Sequence, residues 1–177
     1  GHLGFRPNVL RSLEENHRLS LRPDFEAVMA REVFRLRVRC LRVHVVGDFY
    51  SAEYVGKWAR LARRHRGVYF YAYTRAWADP AVAPALGLLV GLPNFQLWWS
   101  TDRSMPAPPP PPAGVRVAYM QVAHDDLPGR RPDLVFRVGP LRRWPAKAVA
   151  GVLVCPPENG VTETTCERCL VCVVPPD

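Results

Sequence analysis

The chain has 177 residues, a hydrophobic fraction of 48% and a charged fraction of 23%, which is ordinary for one globular domain with its own core. No apolar run reaches the length of a membrane span, and the first residues form no apolar signal-peptide core, so we expect a cytoplasmic protein without membrane contact. The net charge of +8 comes almost entirely from arginine. Such a charge is one sign of a nucleic-acid partner, but a genome that encodes arginine and proline freely produces it too, and the arginines are scattered along the chain and not gathered in one run.

The first part of the chain alternates between helical and extended patterns. Apolar residues recur at helical spacing in the second predicted helix, where Pro23 suits the first turn, and Ser51 is a suitable N-cap for the third. In chain order we predict helices over residues 9–19 and 23–37, a strand over 40–46, a helix over 51–65, a strand over 68–73, a helix over 81–90 and a strand over 94–99. This alternation indicates βαβ units and a parallel sheet.

The second part of the chain is rich first in proline and then in cysteine. Residues 106–112 cannot form a helix or a central strand, because proline lacks the backbone donor that both need. They are either a rigid connector or a polyproline II segment that binds a partner. Short strands are predicted over residues 115–120, 134–138 and 152–154. We divide the chain into an α/β domain, residues 1–150, and a cysteine-rich metal-binding tail, residues 151–177.

One face of the predicted sheet is polar and aromatic, unlike a parallel sheet that helices cover on both faces. Strand by strand, this face carries Arg42 and His44, then Tyr69, Tyr71 and Tyr73, then Gln96, Trp98 and Ser100, then Tyr119 and Gln121, and finally Arg137. We therefore predict a partial (β/α) barrel, or an open and mostly parallel sheet with its helices outside, whose inner face lines a cavity for a small-molecule ligand. An antiparallel sheet with one wet face would give the same alternation.

Groups suited to acid, base or hydrogen-bonding chemistry end or follow the first three strands. The carboxyl ends of parallel strands meet at one edge, where ligands bind in such folds. Each residue also has a simpler interpretation: His44 as an interior histidine bonded to a neighbour, Asp48 as a helix cap, and Asp102 as an ion-pair partner of Arg103. The candidates for catalysis are His44, Asp48, Arg75, Ser100 and Asp102.

Four of the five cysteines lie near the C-terminus, which in a cytosolic protein indicates metal ligation and not a disulfide framework. Zinc usually takes its thiolates as two separated pairs. Cys166, Cys169 and Cys172 instead follow one another at intervals of three, and Cys155 stands apart before a proline, a spacing typical of a [4Fe–4S] cluster. We predict such a cluster on these four cysteines, with zinc as the alternative. Cys40, within an apolar strand, is expected to be a buried thiol.

Three segments resemble a family that is found in phages and bacterial genomes and is named after a mycobacteriophage gene product, the eighty-eighth. They are residues 42–51 (RVHVVGDFYS), residues 70–75 (FYAYTR) and the Cys-Pro at residue 155 together with the final cysteine triplet. The similarity extends over nearly the whole chain. The resemblance implies no reaction.

The strand-end motifs are also similar in order to those of radical S-adenosylmethionine enzymes. Gly47-Asp48, Thr74-Arg75 and Ser100-Thr101-Asp102 stand where those enzymes carry Gly-Gly-Glu-Pro, Thr-Asn-Gly and Ser-x-Asp. The Cys-x-x-x-Cys-x-x-Cys that precedes these strands in such enzymes is absent here, so we expect no radical chemistry from this chain alone. The first hypothesis is an iron–sulfur protein that is a fragment or a degenerate relative of a radical enzyme. The alternative is a basic nucleic-acid-binding module with a structural zinc or iron–sulfur site.

Overall fold

The computed structural model describes residues 7–123, 129–137, 152–156 and 166–173. Within these ranges the strands form one sheet in which each strand runs parallel to the next along the chain. The strands are β1 (Cys40–Arg42), β2 (Tyr69–Thr74), β3 (Phe95–Asp102), β4 (Arg116–Gln121), β5 (Leu134–Arg137) and β6 (Leu153–Val154). The predicted parallel α/β sheet is confirmed.

Helices from the first half of the chain cover the convex face of this sheet. The helices of the described residues are α1 (Pro7–Ser20), α2 (Phe25–Arg35), α3 (Ala52–Arg64), α4 (Gly87–Val90) and α5 (Cys166–Cys169). The side chain of Ser51 accepts a hydrogen bond from the Tyr54 backbone N–H at 3.1 Å, which confirms the predicted cap of α3. None of these helices is long and apolar enough to cross a membrane.

The main hydrophobic core lies between the convex face and the helices α2, α3 and α4. Phe70 on β2 and Leu97 on β3 are each 1% exposed, and Val55 on α3 is fully buried among them. Burying one such side chain contributes roughly 1.5–3 kcal/mol. Lys57 is buried in α3 as well, where its Nζ donates to the backbone carbonyl of Ser20 at 2.9 Å. This bond ties the end of α1 to α3.

The sheet is curled into a half-barrel. Tyr73 on β2 and Phe136 on β5 contact each other across the concave face, with ring centroids 5.1 Å apart. Three strand spacings of about 4.8 Å each would separate β2 from β5 in a flat sheet. The contact therefore requires the sheet to bend toward its concave side, as expected for a partial barrel.

Strand register places most of the predicted polar face on the concave side. Arg42 is paired with Tyr71, and Tyr71 with Gln96, so the three side chains project from the same face. The face continues along β3 into Trp98, whose partner on β4 is Arg116. The predicted polar inner face is thus correct for Arg42, Tyr71, Gln96 and Trp98 on the first three strands, but it is wrong for His44.

The prediction is wrong for the last strands. Because Trp98 pairs with Arg116, the concave residues of β4 are even-numbered, and Tyr119 and Gln121 face the convex side. Tyr119 is buried there with two valines, and Arg137 is the β5 partner of Gln121. Alternation along a strand separates two faces but does not decide which of them is inside, and the predicted choice of the inward-facing residues is wrong for β4 and β5.

The first strand is shorter than the predicted 40–46. The Nε of Arg42 donates to the backbone carbonyl of His44 at 2.8 Å, and the chain then leaves the sheet. It bends toward α3, where Phe49 is only 3% exposed in the core. Residues 43–50 are therefore a loop, because β1 is an edge strand and burial of Phe49 draws the chain away from β2.

Other boundaries shift by a few residues. Pro23 lies in the turn before α2, which begins at Phe25. The helix predicted over 81–90 is a 3-10 turn, Ala83–Leu86, that continues into α4. Since β3 extends to Asp102, the Ser-x-Asp motif ends a strand and does not follow it. Residues 106–112 form neither helix nor strand, as predicted.

Candidate functional site: a cysteine-lined cavity on the concave face

The C-terminal tail turns onto the concave face directly after α5. Leu170 has a φ of 52°, a left-handed conformation that costs an L-residue about 1–2 kcal/mol. The turn is closed by a hydrogen bond from the Val173 backbone N–H to the Leu170 carbonyl at 2.8 Å. Val173 is buried. The chain thus accepts local strain in order to bring residues 171–173 against the sheet.

Three strands each supply one hydrogen-bond donor to this tail. The Tyr73 hydroxyl on β2 donates to Sγ of Cys172 at 2.8 Å, and Nε1 of Trp98 on β3 donates to the Cys172 carbonyl at 2.9 Å. The Arg116 guanidinium on β4 donates to the Val171 carbonyl at 3.0 Å. Because these backbone groups lie outside regular secondary structure, side-chain donors replace the ladder bonds that they lack. The polar concave face therefore serves in part to hold the tail.

The donors are themselves held in place. The guanidinium carbon of Arg116 lies 4.2 Å from the centroid of the Trp98 ring, and the same group donates to Oε1 of Gln96 at 3.0 Å. Burial raises the pKa of Tyr73 far above its usual value, and the neighbouring Cys172 raises it further. The Tyr73 hydroxyl is therefore protonated, and it is a donor toward the cysteine sulfur at any physiological pH.

Three of the four predicted ligands line one cavity of about 240 Å³ on this face, namely Cys155, Cys169 and Cys172. Cys155 directly follows β6, and its backbone N–H donates to the Val135 carbonyl at 2.9 Å. Cys169 ends α5, which begins at Cys166, one helical turn earlier. The side chain of Cys166 lies outside the described residues. Residues from a strand end and from the tail thus converge on one space.

Within the described parts of the chain, no three His, Cys, Asp or Glu side chains come close enough together to hold a single metal ion. A cluster requires a wider arrangement, because each thiolate binds a different iron atom. The predicted ligands around the cavity all offer sulfur, which suits iron–sulfur clusters and zinc and does not suit magnesium or calcium. The type of donor and the shared cavity fit a cluster.

The expectation that Cys40 is a buried thiol is wrong. Cys40 is half-buried and lines the same cavity, together with Arg42 and Tyr71. Cys40 begins the edge strand β1 two residues before Arg42, so its side chain projects from the same concave face. This two-residue spacing is visible in the sequence and could have placed Cys40 among the cavity residues.

Three of the five catalytic candidates form a hydrogen-bonded network at the carboxyl edge of the sheet. The Asp48 carboxylate accepts hydrogen bonds from the Thr74 hydroxyl and from the backbone N–H groups of Phe49 and Arg75. The Arg75 guanidinium donates to the Asp102 carboxylate at 2.6 Å. The network fastens the loops after β1 and β2 to the end of β3, so these three residues do share one edge, as predicted.

Asp102 pairs with Arg75, and the proposed pair with Arg103 is not formed. Burial raises the pKa of Asp102, but hydrogen bonds from Ser104 and Arg75 outweigh it and lower the pKa below its usual value. Asp102 is therefore ionised at neutral pH. Ser100 lies on the same strand, and its backbone carbonyl accepts a hydrogen bond from Nε1 of Trp77 at 3.0 Å.

His44 lies on the helix side of the sheet and not on the predicted concave face. Its ring packs edge-on against Phe49, and its Nε2 lies 3.3 Å from the Tyr54 hydroxyl. Burial lowers the pKa of His44 to about 4, although the charge of Asp48 opposes this shift. His44 and Asp48 both line a cleft of about 990 Å³ between β1, α1 and α2. The interpretation as an interior histidine bonded to a neighbour agrees with this placement.

A family model described as gene product 88 matches residues 1–174 of this chain. The gene 88 protein of Mycobacterium phage D29 is 38% identical over 64 residues, which make up 36% of this chain and only 25% of that protein. No solved structure matches the chain. The family match extends over the half-barrel and the cysteine tail alike, and the chain therefore belongs to the gene product 88 family.

Proposed function

We propose that this protein is an iron–sulfur protein that holds a [4Fe–4S] cluster against the concave face of its half-barrel. One observation carries the proposal: Cys155, at the end of β6, lines the same cavity as Cys169 and Cys172 of the tail. The fourth ligand is Cys166, which lies one turn before Cys169 on α5. The sequence spacing and the shared cavity support the same ligand set.

The strained turn at Leu170 supports a functional role for the tail. Residues in sparsely populated backbone conformations persist where the surroundings over-determine them, and such residues concentrate at functional sites. Leu170 directly follows Cys169 and precedes Cys172 by two residues. The backbone conformation of Leu170 therefore sets the position of the Cys172 sulfur relative to the Cys169 sulfur.

The surroundings of the cavity suit an anionic group. Arg42 lines the cavity, and Tyr73 already donates to the sulfur of Cys172. Arg116 places a further cation on the same face, beside the tail backbone. When bound, a cluster supplies one-electron chemistry. Hydrogen bonds to its sulfurs and nearby positive charges raise its reduction potential, so these three side chains are the ones that would tune it.

The relation to radical S-adenosylmethionine enzymes stays a prediction. It is supported by the parallel half-barrel and by the order of the strand-end motifs. The groups at the carboxyl edge, Asp48, Arg75 and Asp102, are bonded to one another and to loop backbone. We therefore assign them to holding the loops, and we assign the chemistry of this protein to the cysteine cavity.

Anaerobic purification followed by iron, zinc and acid-labile sulfide analysis tests the proposal. We expect iron and sulfide in equal amounts, together with broad visible absorption. Cys169→Ser should lose the metal and loosen the tail, because metal binding at such sites is coupled to folding. Proteolysis of the tail, compared between the variant and the parent protein, measures that loosening.

Cys40→Ser is the matched control, because Cys40 lines the same cavity but lies outside the four-cysteine motif. It should keep its iron and its spectrum. Full metal content in Cys169→Ser would rule out the four-cysteine assignment. Loss of iron from Cys40→Ser would instead make Cys40 a ligand. Stoichiometric zinc without sulfide would keep the site and replace the cofactor with zinc.

A further inference from the structure

The amino-terminal edge of the sheet is strongly basic beside its first two strands. α2 leads into β1 and α3 leads into β2 through short connections, and both connections lie at this edge. They are neighbours because Cys40 pairs with Tyr69, and the Tyr69 backbone N–H donates to the Arg39 carbonyl at 2.9 Å. We call the surface that these connections form the basic rim. Its arginines are Arg37, Arg39, Arg63, Arg64 and Arg66, all of them exposed.

The charge of the basic rim is not neutralised by nearby carboxylates. None of its five arginines forms an ion pair with a residue in the described ranges. Four other exposed arginines of the same half of the chain are paired: Arg18 with Glu15, Arg22 with Asp24, Arg35 with Glu32 and Arg60 with Glu26. Arg11 and Arg31 are exposed too and form no ion pair with a described residue, but they lie on α1 and α2, away from the two connections. In the sequence the arginines look scattered, but the fold brings five of the unpaired ones together at one edge.

Two exposed aromatic side chains accompany these arginines. Phe34, in the last turn of α2, is 82% exposed, and its carbonyl accepts the backbone N–H of Arg37 at 3.1 Å. Tyr69, at the start of β2, is 54% exposed next to Arg39. Aromatic side chains that stand out from a basic surface, with no apolar neighbour to cover them, offer flat faces for stacking.

We propose that the basic rim binds single-stranded nucleic acid, with its arginines on the phosphates and Phe34 and Tyr69 stacked on bases. The arginines provide the electrostatic attraction, which is independent of sequence. The aromatic side chains favour a single strand over a duplex, because only an unpaired strand exposes the faces of its bases. This proposal goes beyond the iron–sulfur site and does not depend on it.

Fluorescence anisotropy with a labelled oligodeoxythymidine, titrated with the full chain at several salt concentrations, tests the proposal. We expect binding that weakens steeply with salt. The triple variant R37Q/R39Q/R66Q should reduce the slope of log affinity against log salt by about 2, since each lost phosphate contact contributes roughly 0.7 on a single strand. Phe34→Ala should weaken binding about tenfold with the slope unchanged.

The matched control is R11Q/R103Q/R130Q, which removes the same charge from exposed positions outside the basic rim. It should keep nearly the whole salt slope. Equal losses in the two triple variants would overturn the proposal, as would equal affinity for a duplex of the same length. Binding to phosphatidylserine vesicles without binding to the oligonucleotide would overturn it as well. If R37Q/R39Q/R66Q is destabilised, the single variants Arg66→Gln and Phe34→Ala replace it in the binding assay. Unchanged binding in both single variants would overturn the proposal.

Discussion

The Asp48 carboxylate holds the loop after β1 to the loop after β2, so we predict that Asp48→Ala destabilises the whole fold. Three donors lose their acceptor in this variant: the backbone N–H groups of Phe49 and Arg75, and the Thr74 hydroxyl. Arg75 is exposed, and water can replace the carboxylate there. Thr74 is fully buried and Phe49 is nearly so, so their donors remain unsatisfied.

The expected loss follows from these two buried donors. A hydrogen bond to a charged group contributes about 1.5–3 kcal/mol, and a buried donor left without a partner loses about 1–3 kcal/mol. We expect the loss at Thr74 to lie within the first range and the loss at the Phe49 N–H to lie near the low end of the second. The free energy of unfolding should therefore fall by about 3 kcal/mol. Urea titration followed by tryptophan fluorescence measures this change.

Asp79→Ala is the control for Asp48→Ala. The side chain of Asp79 accepts one hydrogen bond, from the Ala81 backbone N–H at 2.9 Å in an exposed turn, so its loss should stay below about 1 kcal/mol. Asp48→Asn should fall between the two alanine variants, because an amide oxygen can still accept from Thr74. If Asp48→Ala loses no more stability than Asp79→Ala, the carboxylate does not hold the two loops together.

Two further predictions concern the cavity and the buried histidine. Tyr73→Phe removes the donor to the Cys172 sulfur, so it should lower the reduction potential of the proposed cluster without changing the iron content of the protein; an unchanged potential in voltammetry would contradict this role. Because burial lowers the pKa of His44 from 6.5 to about 4, the unfolded state takes up a proton first as the pH falls, and folding stability should drop by about 2 kcal/mol between pH 7 and pH 5. His44→Gln should lack this part of the drop, and urea midpoints of both proteins at the two pH values decide the point.

The order and type of the main elements could be predicted from the sequence because their local signals agree with their packing. α3 has an apolar stripe and a serine cap, and both are used in the structure. β2 and β3 are buried on the face that carries Phe70 and Leu97, so burial fixes their registers. The end of β1 could not be predicted, because an edge strand pairs with a neighbour on one side only. The burial of Phe49, which draws the chain out of the sheet, is not part of the strand pattern.

The candidate site could be predicted only in part. The cysteine spacing predicts that the tail is a ligand segment, but no periodic signal indicates where a tail without regular structure will lie. Alternation alone predicts the polar face of β2 and β3 correctly, but it predicts Tyr119 as the continuation of that face into β4, where the concave residue is Arg116. That choice depends on strand register, which follows from pairing in three dimensions and not from the sequence of β4 by itself.

The polar concave face and the cysteines belong to one arrangement. A parallel half-barrel has a concave side that helices do not cover, and here a short tail occupies it. Side chains from the strands must provide the hydrogen bonds that such a tail lacks, which explains why Trp98 and Tyr73 present their donors inward. Cys172 is held twice, at its carbonyl by Trp98 and at its sulfur by Tyr73, so its position is set by the sheet itself. If the proposed cluster binds here, Cys172 needs less ordering than a cysteine on a free tail would, and we expect loss of Trp98 or Tyr73 to act on the cluster through the position of Cys172.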